Sequence, residues 1–343
     1  MSEIHGPCNP AFNRIRDLLQ ERKTSGKEIV TALAALILVD RGLLDVEERV
    51  STYWPEFGVN GKEDTRVWHL LSHSSGVPQW EKPVTLDFVY DTKAATEMLA
   101  GQAPWYKAGE VSAYQLVAHG HLIGELVRRV SGKSLTEFIA DEIAAPLGAD
   151  FTLGLPEEDW PRAADVIDPP PIRLPGDLDP ESVAVRTYSN LGTKPQDSQT
   201  PGFRRTEVGG LNGFSNARGL ARIGSIMSLN GTVDGKRYLG AKTVEQVLQE
   251  RVSGFDLVLL MNLRFGLGLG LPVPDSIPFV PEGRICFWGG WGGSFVVMDL
   301  DRRMTIACTM NKMGAGILGS DNAKAYIDAI YEIVSDKGVS ASL

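Results

Sequence analysis

Residues 24–42 read TSGKEIVTALAALILVDRG. With 3.6 residues per turn, Ile29, Leu33, Leu36 and Ile37 share one helical face, and further apolar residues fill more than that face. A helix without a polar side is a buried one. Gly42 supplies the stop, since glycine tolerates the left-handed residue that ends many helices. A central helix over Thr24 to Arg41 is therefore the expected pivot of the fold.

Upstream, Asn9-Pro10 reads as a cap with proline in the first turn, and Phe12, Ile15, Leu18 and Leu19 fall on one face. Downstream, helices are expected from Tyr114 to Val130 before Gly132, from the Ser134-x-x-Glu137 capping box, and from Ala217 to Leu229 before Asn230-Gly231. Thr243-x-x-Gln246 is expected to open another. In the last helix, Asn322 to Val334, residues Tyr326, Ile327, Ile330 and Val334 form one stripe. Strand patterns gather late, at Arg284 to Phe287, Ser294 to Leu300 and Met304 to Met310, with Asp301-Arg302-Arg303 as a turn. That spacing predicts an antiparallel meander.

Nine of the 20 prolines lie from Pro156 to Pro201, so a long irregular excursion or lid is expected there. The fold class is α+β: an antiparallel sheet flanked by helices, with a helical subdomain inserted. Residues 1–64 and 205–343 are assigned to the sheet domain. Residues 65–204 form the mostly helical part, with the proline-rich lid at about 156–204. At 343 residues the chain has room for both.

A net charge of −9 repels phosphate backbones, which disfavours nucleic acid as a partner. The longest apolar run is broken at Asp40 and Arg41, short of a membrane span. Met1 to Pro10 lack a secretory pattern, so a cytoplasmic location is expected. Cys8, Cys286 and Cys308 are too scattered for a disulfide framework or a zinc site, and are read as reduced packing residues. His69 and His73 are four apart but lack the intervening glutamate of a zinc motif, and His119 and His121 read as packing residues. No metal and no organic cofactor are expected.

Three segments can carry chemistry: Thr24-Ser25-Gly26-Lys27, Gly109 to Tyr114, and Trp288-Gly289-Gly290. Alone, Thr24 reads as a helix N-cap, Tyr114 as a core tyrosine, and Trp288 and Trp291 as packing. Together they resemble the serine β-lactamase and penicillin-binding-protein superfamily, in its class C-like branch of family VIII carboxylesterases and lovastatin-type acyltransferases. Supporting phrases are His69-Leu70-Leu71-Ser72-His73-Ser74-Ser75-Gly76, Pro146-Leu147-Gly148, Asn212-Gly213 and the run from Gly292 to Asn311.

The resemblance implies acyl transfer, with Thr24 as nucleophile and Lys27 and Tyr114 as the base pair. It also implies that Trp288, Gly289, Gly290 and Trp291 form the substrate-binding wall, with the backbone N–H groups of Thr24 and Trp291 as oxyanion donors. A spacing of three puts Thr24 and Lys27 on one helix face, and a lysine and tyrosine held close share their proton equilibrium. The expected substrate is a small ester or thioester.

Two departures stand out. The nucleophile position holds threonine, whose β-methyl restricts χ1, and Ser25 is one residue off register. The family places a helix and then two strands before this motif, so the first two strands are expected to be missing. Another copy of the chain, as a homo-oligomer, or the N-terminal segment would then cover the exposed sheet edge. The alternative functions are a catalytically impaired pseudoenzyme or ligand-binding protein, and a biosynthetic enzyme using the pocket for non-hydrolytic chemistry.

Overall fold

A computed structural model describes residues 28–170, 176 and 178–336. The expected helix from Asn9, Cys8 and the pair Thr24 and Lys27 lie outside the described residues.

Helix α1 (Glu28–Asp40) is buried at every position from Ile29 to Leu38. Burying a leucine or isoleucine side chain contributes roughly 1.5–3 kcal/mol, so this helix anchors the core. Its one polar side chain in that stretch, Thr31, donates to the Gly209 carbonyl at 2.9 Å, which removes the penalty of an unpaired buried hydroxyl. The chain leaves through Gly42, at φ 69°.

Among the described residues five more helices of at least eight residues follow: α2 (Thr92–Gly101), α3 (Ala118–Ser131), α4 (Ala217–Ser228), α5 (Ala241–Leu248) and α6 (Asp321–Asp336). Helix α3 lies against α1 and ends at Gly132 with φ 75°. Its start is Ala118, not Tyr114: Leu116 sits at φ 35°, in the left-handed region that an α-helix cannot contain. Gly120 lets α3 approach the Gly209-Gly210 segment, because a Cβ there would stand 2.0 Å from the Gly210 nitrogen. The Ser134–Glu137 capping box forms as read.

Thr243 does not open α5. The N-cap is Gly240, and the cap acceptor comes from α1: Asp40 Oδ1 takes Gly240 N–H at 2.6 Å and the Thr243 hydroxyl at 2.8 Å. A carboxylate at a helix N-terminus is favoured by the exposed N–H groups and the dipole.

The main sheet contains β1 (Val252–Phe255), β2 (Asn262–Phe265), β3 (Ile285–Gly290), β4 (Ser294–Asp299) and β5 (Met304–Cys308). Strands β1 and β2 pair antiparallel, and Gly270 bridges Phe265 to Phe287. The remaining three form the expected meander, in register Phe287↔Val297 and Val297↔Ile306. All of β4 is buried. Helix α4 covers β4 and β5, while α1 and α5 contact β3. Among the described residues β5 has no second strand partner.

The proline-rich excursion is pinned at its neck by a short ladder, Phe151–Leu153 against Gly213–Ser215. Within it the structure is irregular, with short helical turns at Glu157–Arg162, Val183–Ser189 and Pro195–Gln199. Ile167 fastens it to the segment after β5, donating N–H to the Asn311 carbonyl at 2.7 Å and accepting from Met313 N–H at 3.0 Å. Cys286 is buried and Cys308 half-buried, both free thiols.

Candidate active site

Tyr114 stands in the turn before α3, 2% exposed. Its position is held from the main chain: Asp256 Oδ1 accepts Tyr114 N–H at 3.2 Å, together with the N–H groups of Val258 and Leu259 at 2.9 and 2.8 Å. The Leu257 N–H donates to the Ser112 carbonyl at 3.0 Å, so the 256–261 loop and the tyrosine segment are locked together. Burial pushes the Asp256 carboxyl up, and the accepted N–H bonds work against that shift.

Successive side chains on a strand alternate in direction. Trp288 accordingly reaches inward to the tyrosine, its Nε1 lying 3.3 Å from Tyr114 Oη. Gly289 faces the other way, where a Cβ would stand 2.5 Å from the Ile317 carbonyl oxygen, so it serves the close approach of that loop. Gly290 and Trp291 line a cavity of about 820 Å³, as does Tyr114. Neither Trp288 nor Gly289 is on its surface. Trp288 stands behind the wall and Gly290 leaves it open, with only Ser294 Cβ at 3.9 Å from where a Cβ would be.

The rest of the cavity is mainly apolar. Leu191 and Phe203 come from the proline-rich excursion, Leu259 and Met261 from the β1–β2 loop, and Met310 and Met313 from beyond β5. Methionines are unbranched and adaptable, which suits ligands of variable shape. Among the described residues, Gln79 Oε1 and Trp291 Nε1 find no hydrogen-bond partner, and both residues line the cavity.

Glu28 was absent from the expected site. It opens α1, its Oε2 accepts Trp288 Nε1–H at 2.6 Å, and it lines the same cavity. The residue is half-buried, but its carboxyl group is enclosed. Burial pushes that carboxyl up to about 8, opposed by hydrogen bonding to Tyr114 and Trp288. Tyr114 is pushed well above the usual phenol range, first by burial and then by the Glu28 charge. Acidic residues are common in the first turn of a helix for dipole reasons, which is why the sequence pattern conceals this one. Asp256 was missed too, although a lone charge within the apolar run 255–261 is a visible signal.

Beneath the tyrosine, His73 contacts the rings of Tyr114, Phe265 and His119 at centroid distances of 4.9, 4.9 and 4.4 Å. Its Nδ1 accepts Gln115 N–H at 3.3 Å, and Gln115 also joins His119 Nδ1 and the Ser75 hydroxyl. Burial depresses both imidazoles, His119 to about 4. They are neutral supports for the tyrosine. The arrangement places a buried phenol and an enclosed carboxyl at the wall of an apolar cavity, with the indole of Trp288 behind them.

Residues 29–329 match the protein family described as Beta-lactamase. A 316-residue stretch is 29% identical to the Esterase/beta-lactamase LipL of Mycobacterium tuberculosis, covering 86% of this chain and 70% of that one. A solved family VIII carboxylesterase superposes with a TM-score of 0.87 at 27% identity, covering 97% of this chain and all of the other. The simvastatin synthase LovD of Aspergillus terreus shares the fold at 18% identity, with a TM-score of 0.60 over 93% of this chain and 84% of its own.

Proposed function

Because the chain belongs to the beta-lactamase family, a group of hydrolases and acyltransferases on this fold, we propose that it cleaves or transfers the acyl group of a small ester or thioester in the cavity beside Tyr114. The observation that carries this reading is the placement of Tyr114 at the wall of an apolar cavity of about 820 Å³. Ligand sites are typically concave, about 300–1,000 Å³, and mostly apolar with a few placed polar groups. The esterase and carboxylesterase named above support the same substrate class.

In the proposed reaction Thr24 is the nucleophile, forming an acyl-enzyme that water or an acceptor alcohol then opens. Tyr114 and Lys27 handle the proton, and the backbone N–H groups of Thr24 and Trp291 stabilise the oxyanion. The methionine-rich wall receives the substrate's apolar part. We also place a second copy of the chain on the edge of β5 that has no strand partner among the described residues; a monodisperse monomer by light scattering refutes that placement.

The test is turnover of p-nitrophenyl esters by the intact chain. Thr24→Ser preserves or raises the rate and Thr24→Ala abolishes it; activity that survives the alanine change refutes Thr24 as nucleophile. A second reading, ligand binding without turnover, is favoured by one observation: the partner facing Tyr114 is an enclosed carboxyl, which raises the phenol's pKa instead of lowering it.

A further inference from the structure

The proposed reaction needs Tyr114 to take a proton from an attacking hydroxyl, and a buried phenol that holds its own proton this firmly cannot do so unassisted. Its proton must leave as the new one arrives. Lys27 lies outside the described residues; among those described, the groups that face the phenol narrow the acceptor element by element. Trp288 on β3 carries an N–H that only donates. His73 has its Nδ1 engaged by Gln115 N–H, and burial keeps the ring neutral. Asp256 spends Oδ1 on three backbone N–H groups and meets Tyr114 at its main chain. Tyr188 is itself a phenol, pushed up to about 12. From α1 comes Glu28, whose Oε2 takes the Trp288 N–H and whose carboxyl also hydrogen-bonds with Tyr114, an ionised carboxylate being a pure acceptor.

We infer that Glu28 is the proton acceptor behind Tyr114, so that Glu28, Tyr114 and the Trp288 indole form one proton-transfer unit at the cavity wall. The inference rests on the acyl-transfer reading. As the nucleophile's oxygen bonds to the ester carbonyl carbon, its proton passes to Tyr114 Oη, and the phenol's original proton passes to the Glu28 carboxylate. The carbonyl π pair moves onto oxygen. On collapse the C=O bond re-forms, the bond to the leaving oxygen breaks, and that oxygen takes a proton from Tyr114, which recovers one from Glu28. Water or an alcohol repeats the sequence in the second half, and every proton is returned. Trp288 is a positioning residue in this unit: its N–H fixes the carboxylate through one oxygen.

The experiment is the pH profile of kcat/KM for p-nitrophenyl butyrate with wild type, Glu28→Gln and Glu28→Asp, with circular dichroism confirming that each variant is folded. Wild type is expected to rise with pH through about 8 as the carboxyl ionises. Glu28→Gln keeps KM within about threefold, loses roughly 100-fold or more in kcat, and loses the limb near pH 8, in line with the usual size of general-base catalysis. Glu28→Asp retains a carboxylate and recovers the limb at a lower rate, which a purely structural role does not predict. Wild-type turnover with the same limb in Glu28→Gln overturns the inference and leaves the acyl-transfer reading standing. Absence of wild-type turnover overturns both.

Discussion

Glu28→Gln also has a stability signature that is independent of turnover. The side chain is isosteric with the protonated acid and can still accept Trp288 N–H. The folded carboxyl titrates at about 8 against 4.5 for the ordinary group. An acid whose folded pKa is raised keeps its proton in the folded state between pH 4.5 and 8, while the unfolded chain has released it. Stability therefore falls as pH rises through that window and is level on either side. The gap between about 8 and 4.5 corresponds to at most about 5 kcal/mol above pH 8, and about 3 kcal/mol at pH 7. Glutamine removes this penalty. Urea unfolding of both proteins at pH 5, 7 and 9 is expected to show a gap below about 1 kcal/mol at pH 5, growing to about 3 at pH 7 and 4–5 at pH 9. The buried histidines are common to both proteins and cancel in the difference. Parallel stability curves for the two proteins would refute the enclosure of the carboxyl, and the argument built on it.

Acid acts in the opposite direction through His119. Its folded pKa, near 4, lies below the usual 6.5, so the unfolded chain binds the extra proton and stability drops from pH 6.5 toward 4. Relative to wild type, His119→Gln is expected to gain up to about 3 kcal/mol between pH 7 and pH 4 in urea titrations; an unchanged gap contradicts the neutral, buried imidazole. Gly120→Ala forces a methyl to 2.0 Å from the Gly210 nitrogen. Since the obstacle is backbone, the expected loss is at least the 1–3 kcal/mol of core overpacking, with weaker substrate binding as Gly210 and Leu211 line the cavity. Thermal unfolding and KM measure the two effects, and a variant with wild-type values of both refutes the close approach.

Legibility in the sequence followed the strength of local pattern. Helix α1 and the meander were readable because continuous apolar content and alternation act over a dozen residues or more, and burial reinforces both. Tyr114 was recognisable by its surroundings, but its place in a turn was not, since nothing in Tyr114-Gln115-Leu116-Val117 marks the positive φ at Leu116. Thr243 was misread as a cap because the acceptor arrives from Asp40, some 200 residues away, and tertiary capping leaves no local signature. The wall motif reads as a unit in the sequence. Strand alternation then divides it, sending Trp288 and Gly290 toward the site and Gly289 toward Ile317. Glu28 was concealed by the ordinary preference of helix starts for acids, and only its contact with Trp288 shows that the carboxyl turns inward.

The central claim is acyl transfer through a covalent intermediate at the Tyr114 cavity. Intact mass spectrometry after incubation with a fluorophosphonate probe, followed by peptide mapping, tests it most directly. The account predicts a single adduct on the peptide carrying Thr24, formed by wild type, slowed in Tyr114→Phe and absent in Thr24→Ala. Protection by an apolar ester without any adduct or turnover in wild type would contradict it, and would leave a β-lactamase-fold protein that binds its ligand without reacting.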